Sequence, residues 1–245
     1  MERFRLVVLE YRGVNLDPDR IGKMLLVHKT GAWDRFMELL ETARALIGPR
    51  AVYTVSYIDQ RSEQGVVIDG IPFSSRVLGK NLSRVERVFP YVVTIGPELE
   101  AKISETEDLL DKYSLDTIGN VALSEARNRL EEELKARFAL DSLSFMSPGS
   151  LKDWPMEEQA PLFSLLSGRG EALGVNLNSN LLMIPKKSVS GIYFPTETSF
   201  YNCQLCPRSS CQGRKAPYDE ELAKEYGVFQ GSAQVHDPYG ASDGN

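Results

Sequence analysis

Cysteine is scarce in this sequence, and the three that occur sit close together as Cys203, Cys206 and Cys211. An odd number confined to one stretch argues against a self-contained disulfide framework. The N-terminus, Met1-Glu2-Arg3-Phe4-Arg5, leads into too short an apolar run for a secretory signal. No apolar run approaches the ~20 residues of a membrane span. Lys and Arg (28) are outnumbered by Asp and Glu (34) and form no basic stripe, which argues against nucleic acid as a partner. Neither a Walker loop nor a dinucleotide glycine fingerprint is present, so nucleoside triphosphate and Rossmann chemistry have no anchor. No internal repeat is visible. These absences lead us to expect a soluble, cytoplasmic protein without a membrane partner.

What is present is ordinary globular material, with enough apolar residues for one large core or two small ones. Phe4 to Tyr11 reads as a strand. Asp17 is a helix N-cap with Pro18 at the first helical position, and Ile21, Met24, Leu25 and His28 share a face, which makes His28 a partly buried packing residue. Phe36, Leu39, Leu40, Ala43 and Leu46 predict a second helix, stopped by Gly48-Pro49. Val52 to Ile58 reads as a strand, Asp69-Gly70 as a hairpin turn, Arg76 to Val88 as a helix and Tyr91 to Ile95 as a short strand. Pro97 opens a helix, and a longer one is predicted from Asp108 to Phe138. In it Ile118, Ala122, Glu125 and Arg129 share one face, with Glu125 and Arg129 an i,i+4 ion pair. Gly119, Ala122 and Ala126 keep the helix surface low there, open to a backbone or a ligand. Leu140 to Phe145 is a strand, Ser147-Pro148-Gly149-Ser150 a turn, and Glu157 to Leu166 a short helix. Trp154 and Tyr193 read as core aromatics ahead of ligand-stacking ones. Strands and helices in this irregular order predict an α+β fold.

The stretch from Lys187 to Asp219 carries the chemistry. Ser188-Val189-Ser190-Gly191-Ile192-Tyr193-Phe194 alternates like a strand, and Gly191 would let a ligand come close to its backbone. The C-x2-C of Cys203 and Cys206, with Cys211 five residues on, offers soft thiolate ligands suited to zinc or an iron–sulfur cluster. Arg208, Arg214 and Lys215 favour the thiolate forms by their charge. Asp219 and His236 are the candidate fourth ligands. These readings divide the chain into a domain over residues 1–200, a cysteine-rich metal- or cluster-binding segment over 201–228, and a disordered tail over 229–245.

The order of pieces over residues 92–202 resembles the reactivation domain of cobalamin-dependent methionine synthase. These pieces are a long helix with an Ala/Glu pattern, a Pro-Gly turn, Trp154-Pro155, a short helix and Ser-Val-Ser-Gly-Ile-Tyr-Phe. It is most similar to stand-alone relatives that append a cysteine motif. The resemblance implies a mixed, curved β-sheet packed with helices. It also implies that the protein holds S-adenosylmethionine against the cobalamin of a corrinoid protein or cobalamin-dependent methyltransferase. An electron donor there reduces Co(II) to Co(I), which takes the sulfonium methyl. By position, Glu125, Pro148, Gly149, Ser190, Gly191 and Tyr201 are the implied ligand-binding residues. Two positions depart from the family: its arginine three residues before the Pro-Gly turn is Phe145, and its tyrosine after the glycine is Ser150. A phenylalanine cannot make the bidentate clamp of an arginine on a carboxylate. The residues also leave open a non-catalytic adaptor that docks on a corrinoid protein and carries a structural zinc. On either reading, Cys206→Ala is expected to empty the metal site and leave the main fold intact. Metal content and the far-UV circular dichroism spectrum check the two halves of that expectation separately.

Overall fold

A computed structural model describes residues 6–166, 173–197, 200–208, 211 and 214–229; the expected tail beyond Phe229, with His236, lies outside the described residues. In chain order, the first half runs β1 (Val7–Glu10), α1 (Pro18–Met24), α2 (Val27–Thr30), α3 (Trp33–Leu46), β2 (Arg50–Tyr53), β3 (Ser56–Ser62), β4 (Gly65–Ile68), β5 (Ile71–Ser74), α4 (Arg76–Asn81) and β6 (Arg87–Thr94). There follow α5 (Glu98–Glu105), α6 (Leu109–Phe138), β7 (Leu143–Met146), α7 (Gln159–Leu165), β8 (Asn176–Leu177), β9 (Met183–Ile184), β10 (Ser188–Pro195) and α8 (Glu220–Glu225). Short 3-10 helices occupy Met156–Glu158 and Asn202–Leu205. No helix among the described residues is long and apolar enough to cross a membrane.

Local chemistry sets several of these boundaries. The Asp17 carboxylate accepts from the amides of Asp19 and Arg20 at 3.0 and 3.3 Å, and Asp108 caps α6 through the amides of Leu110 and Asp111, both at 2.9 Å. Asp69 and Gly70 take φ values of +44° and +79° between the paired Ile68 and Ile71, the geometry of a two-residue hairpin turn. Two expectations needed tertiary context. The segment Val52–Ile58 breaks at Thr54 and Val55 into β2 and β3, which pair with different halves of β6. The helix expected over Arg76–Val88 stops at Asn81, because Arg87 and Val88 begin β6, which is hydrogen-bonded on both edges. Strand pairing there outweighs a local helical signal.

The main sheet is antiparallel in every described pairing, and β6 is its axis. β2 and β3 lie along one edge of β6 and β10 along the other; β1 extends the sheet beyond β2, β4 and β5 beyond β3, and β7 beyond β10. The α+β class and the curved sheet match the expectation, with helices on both faces. Because side chains alternate across a strand, Tyr91 and Tyr193 face α3 and α6, whereas Val88, Ile192 and Phe194 face α4 and the segment around Trp154. Helix α6 covers the first face with Leu115, Ile118, Ala122, Ala126, Leu130 and Leu134, all fully buried at three- and four-residue steps. Burying each of its leucines and its isoleucine contributes about 1.5–3 kcal/mol. Trp154 and Tyr193 are core residues with no exposed surface. His28, by contrast, is exposed and stacks on Trp33 at 4.3 Å.

Gly191 is the tight point of the sheet. A Cβ built there would run into the Met146 carbonyl oxygen and would lie 2.8 Å from Ser147 Oγ and 3.1 Å from Tyr91 Oη. Gly191→Ala is therefore expected to destabilise the fold by about 1–3 kcal/mol, the range for overpacking, read as a lowered urea midpoint. An unchanged midpoint would mean that β7 and β10 have slack that these contacts deny.

Candidate ligand site

The end of β7 turns back through Ser147-Pro148-Gly149-Ser150. Gly149 has φ +78°, and the place of its missing Cβ is filled by the Met156 side chain. Its amide donates to the Trp154 carbonyl at 2.7 Å, which fixes the turn to the buried tryptophan. Pro148 is buried. Ser150 Oγ accepts from Asn202 Nδ2 at 2.6 Å and so staples the turn to the 3-10 helix Asn202–Leu205. Tyr201 precedes that helix; its amide donates to Gln204 Oε1 at 2.9 Å, and the Phe200 amide donates to Ser144 Oγ on β7 at 2.8 Å. Pro148, Gly149, Gly191 and Tyr201 are thus gathered around the C-terminal end of β7. The room that each glycine leaves is taken by the chain's own atoms.

Tyr201 also lines a cavity of about 300 Å³ between α6 and β7, together with Glu131, Glu132, Ser144, Phe145 and Lys215. Glu131 is paired with Lys135 at 2.6 Å. The Phe145 ring is covered by the Arg127 guanidinium at 4.3 Å and approached by the Lys215 ammonium at 5.5 Å. Tyr193 meets the same ring at 5.6 Å and stacks on Tyr91 at 4.6 Å, while Tyr193 Oη donates to the Arg127 carbonyl at 3.3 Å. Burial pushes the phenol pKa values of Tyr91 and Tyr193 up, so both rings stay neutral. Arg127 Nε is buried without a hydrogen-bond partner among the described residues, and Ser147 is the side-chain hydrogen-bonding neighbour of Tyr91. Desolvation, helped by the Arg127 charge, pushes the Lys215 pKa down.

The other expected residues lie elsewhere. Glu125 is bonded to Arg20 on α1 at 3.0 Å and not to Arg129, which donates to the Gly13 carbonyl at 2.8 Å. The small residues near it serve packing: Ala122 and Ala126 are buried in the core, and Gly119 faces Leu99 and Lys187. Ser190 is buried on the face opposite Gly191, its Oγ without a partner among the described residues. Arg127 was missed, because it sits on the opposite flank of α6 from Glu125 and nothing in its spacing marks it. Only the approach of β7 to that flank does.

The cysteine segment is organised by Arg214. Its guanidinium donates to the carbonyls of Cys203 (3.1 Å), Ala216 (3.2 Å), Cys206 (3.3 Å) and Arg208. Cys203 Sγ accepts from the Lys215 amide at 3.4 Å. Cys203 and Cys206 are half-buried and Cys211 is exposed, all as free thiols. Among the described residues, no three His, Cys, Asp or Glu side chains gather at a distance that would hold a metal ion. The Asp219 carboxylate caps α8 by accepting from the Leu222 amide at 2.9 Å, and His236 lies outside the described residues. Leu205 and Ala223 belong to the second core cluster, so this segment packs on the same body as the sheet. Arg214→Met removes one donor group from four carbonyls at once. It is expected to destabilise the protein by about 1–2 kcal/mol, at the low end for charge-assisted bonds in a half-buried setting. It should also speed labelling of Cys203 and Cys206 by a thiol reagent several-fold; equal labelling rates would show that the loop holds without the arginine.

Neither a protein-family model nor a curated protein matches this sequence. Among solved structures, the crystal structure of the MetH reactivation domain bound to AdoHcy superposes with a TM-score of 0.59, covering 82% of this chain and 81% of that chain at 16% sequence identity. At that identity the likeness is one of architecture: this chain has the fold of the MetH reactivation domain.

Proposed function

We propose that this chain is an activation-domain-like protein that binds S-adenosylmethionine and supports the reductive methylation of a corrinoid carried by a separate cobalamin-dependent methyltransferase. The observation that carries this reading is the shared fold with a domain solved with AdoHcy bound, over four-fifths of both chains. The gathering of Pro148, Gly149, Gly191 and Tyr201 around the C-terminal end of β7, with Tyr201 lining a cavity, supports it. In the proposed reaction an electron donor supplies one electron to Co(II). The Co(I) so formed takes the methyl from sulfur, leaving methylcobalamin and S-adenosylhomocysteine. The protein's share is to hold the two reactants in contact, which lowers the barrier by proximity.

The three thiols are proposed as ligands of an iron–sulfur cluster or of zinc on their chemistry alone, and the methyl transfer itself needs none of them. Phe145, at the position of the family's arginine, favours a second reading, a docking adaptor with a structural zinc. Mixing the protein with a Co(II) corrinoid, S-adenosylmethionine and a strong reductant decides between the two. Faster growth of the methylated spectrum than in its absence is the expected result, with calorimetric heat on adding S-adenosylmethionine at up to millimolar concentration. Unchanged rates, no heat and colourless protein carrying stoichiometric zinc would establish the adaptor instead.

A further inference from the structure

Two cations share one aromatic ring, and of these three residues Phe145 and Lys215 line the cavity. Arg127 comes from α6 and Lys215 from the end of the cysteine segment, and both head groups reach the Phe145 ring. An aromatic face attracts each cation but neutralises neither. Among the described residues no carboxylate is hydrogen-bonded to either head group. Glu131 is engaged by Lys135 and Glu125 by Arg20. Arg127 Nε is buried and lacks an acceptor. Lys215 is exposed as a residue, and its ammonium stands 5.5 Å from the centre of the Phe145 ring. A buried donor without an acceptor and two unneutralised like charges are what an anion would relieve.

The surroundings narrow the class of anion. Glu131 and Glu132 line the same cavity, Glu131 held by Lys135, so a multiply charged phosphate would meet like charge there. A zwitterion is suited to this division: its carboxylate goes to the cations and its ammonium to the glutamates. The cavity, about 300 Å³, lies at the small end of ligand sites and suits one end of a larger molecule. Tyr201 stands at its wall.

We propose that Arg127 and Lys215 form a carboxylate-binding subsite for the amino-acid end of the ligand, supplying from α6 and the cysteine segment the clamp that Phe145 cannot make. The identity of the whole ligand rests on the function proposed above; the affinity for an amino-acid carboxylate does not. An arginine fixed by its own helix can present two N–H groups to a carboxylate, and Lys215 adds a point charge. The ligand's adenosine end would lie outside this subsite.

Calorimetry on the full chain compares S-adenosylhomocysteine with 5′-methylthioadenosine, which lacks the amino-acid end. The wild-type protein should bind the former at least ten-fold more tightly. Arg127→Met should lower that affinity ten-fold or more and leave 5′-methylthioadenosine unchanged, Lys215→Met should lower it three- to ten-fold, and Arg127→Lys should recover part of the loss. Equal affinities for the two ligands, or a parallel loss of both in Arg127→Met, would overturn the subsite. If neither nucleoside binds the wild-type protein, the proposed function fails and L-methionine decides the subsite alone. L-methionine should release calorimetric heat with the wild type and none with Arg127→Met. No heat with the wild type would sink the subsite.

Discussion

Strand β10 is hydrogen-bonded on both edges, to β6 through Ser188–Tyr193 and to β7 through Ile192–Pro195, and the whole site hangs on that double pairing. Position 191 can hold only a hydrogen atom, because the Met146 carbonyl, Ser147 and Tyr91 already occupy the space beside it. That close fit brings the end of β7 against β10, aims the Pro148-Gly149 turn at the segment after β10, and lets Asn202 reach Ser150. Protein cores are packed to near-crystalline density, so strand positions are held to within tenths of an ångström. A glycine that looks like room for a ligand here provides room for the chain.

Charge is distributed unevenly about this frame. Most ion pairs, such as Arg35 with Asp111 and Lys80 with Glu225, lie at the surface, where such pairs contribute about 0–1 kcal/mol. Around Phe145 the pattern inverts: cations stand on an aromatic ring without an acid bonded to them. Lys215 links this region to the thiols, since its amide bonds Cys203 Sγ while its ammonium approaches Phe145. Arg214, next in the chain, fixes the backbone of the same loop through its carbonyls. Cavity and cysteine segment are therefore mechanically joined, although their chemistry differs.

Features written in a few adjacent residues were legible from the chain. The cap at Asp17, the turn at Asp69-Gly70, the stop at Gly48-Pro49 and the thirty-residue α6 each depend on local hydrogen bonds, backbone angles or helical periodicity. So did the α+β class and the likeness to the reactivation domain, which the superposition bears out for the fold. The partner of Glu125 was misjudged for the opposite reason. Arg129 lies one helical turn away in sequence, but Arg20 of α1 packs across that flank and takes the carboxylate.

By itself, then, the sequence determined which segments become helices and strands, where several of them end, and that thiols and a Ser-Gly strand cluster near the C-terminal side. Each of those is a short-range property of the polymer. Tertiary structure alone decided that Thr54 and Val55 split one apparent strand, that Arg87 and Val88 leave a helix for β6, and that Arg127 and Lys215 meet over Phe145. Arg127 and Lys215 are 88 residues apart in numbering, and no periodicity relates them. What brings them together is the packing of α6 across the sheet, which sets Arg127 on Phe145, and the return of the chain past Tyr201, contacts that exist only once the sheet has formed.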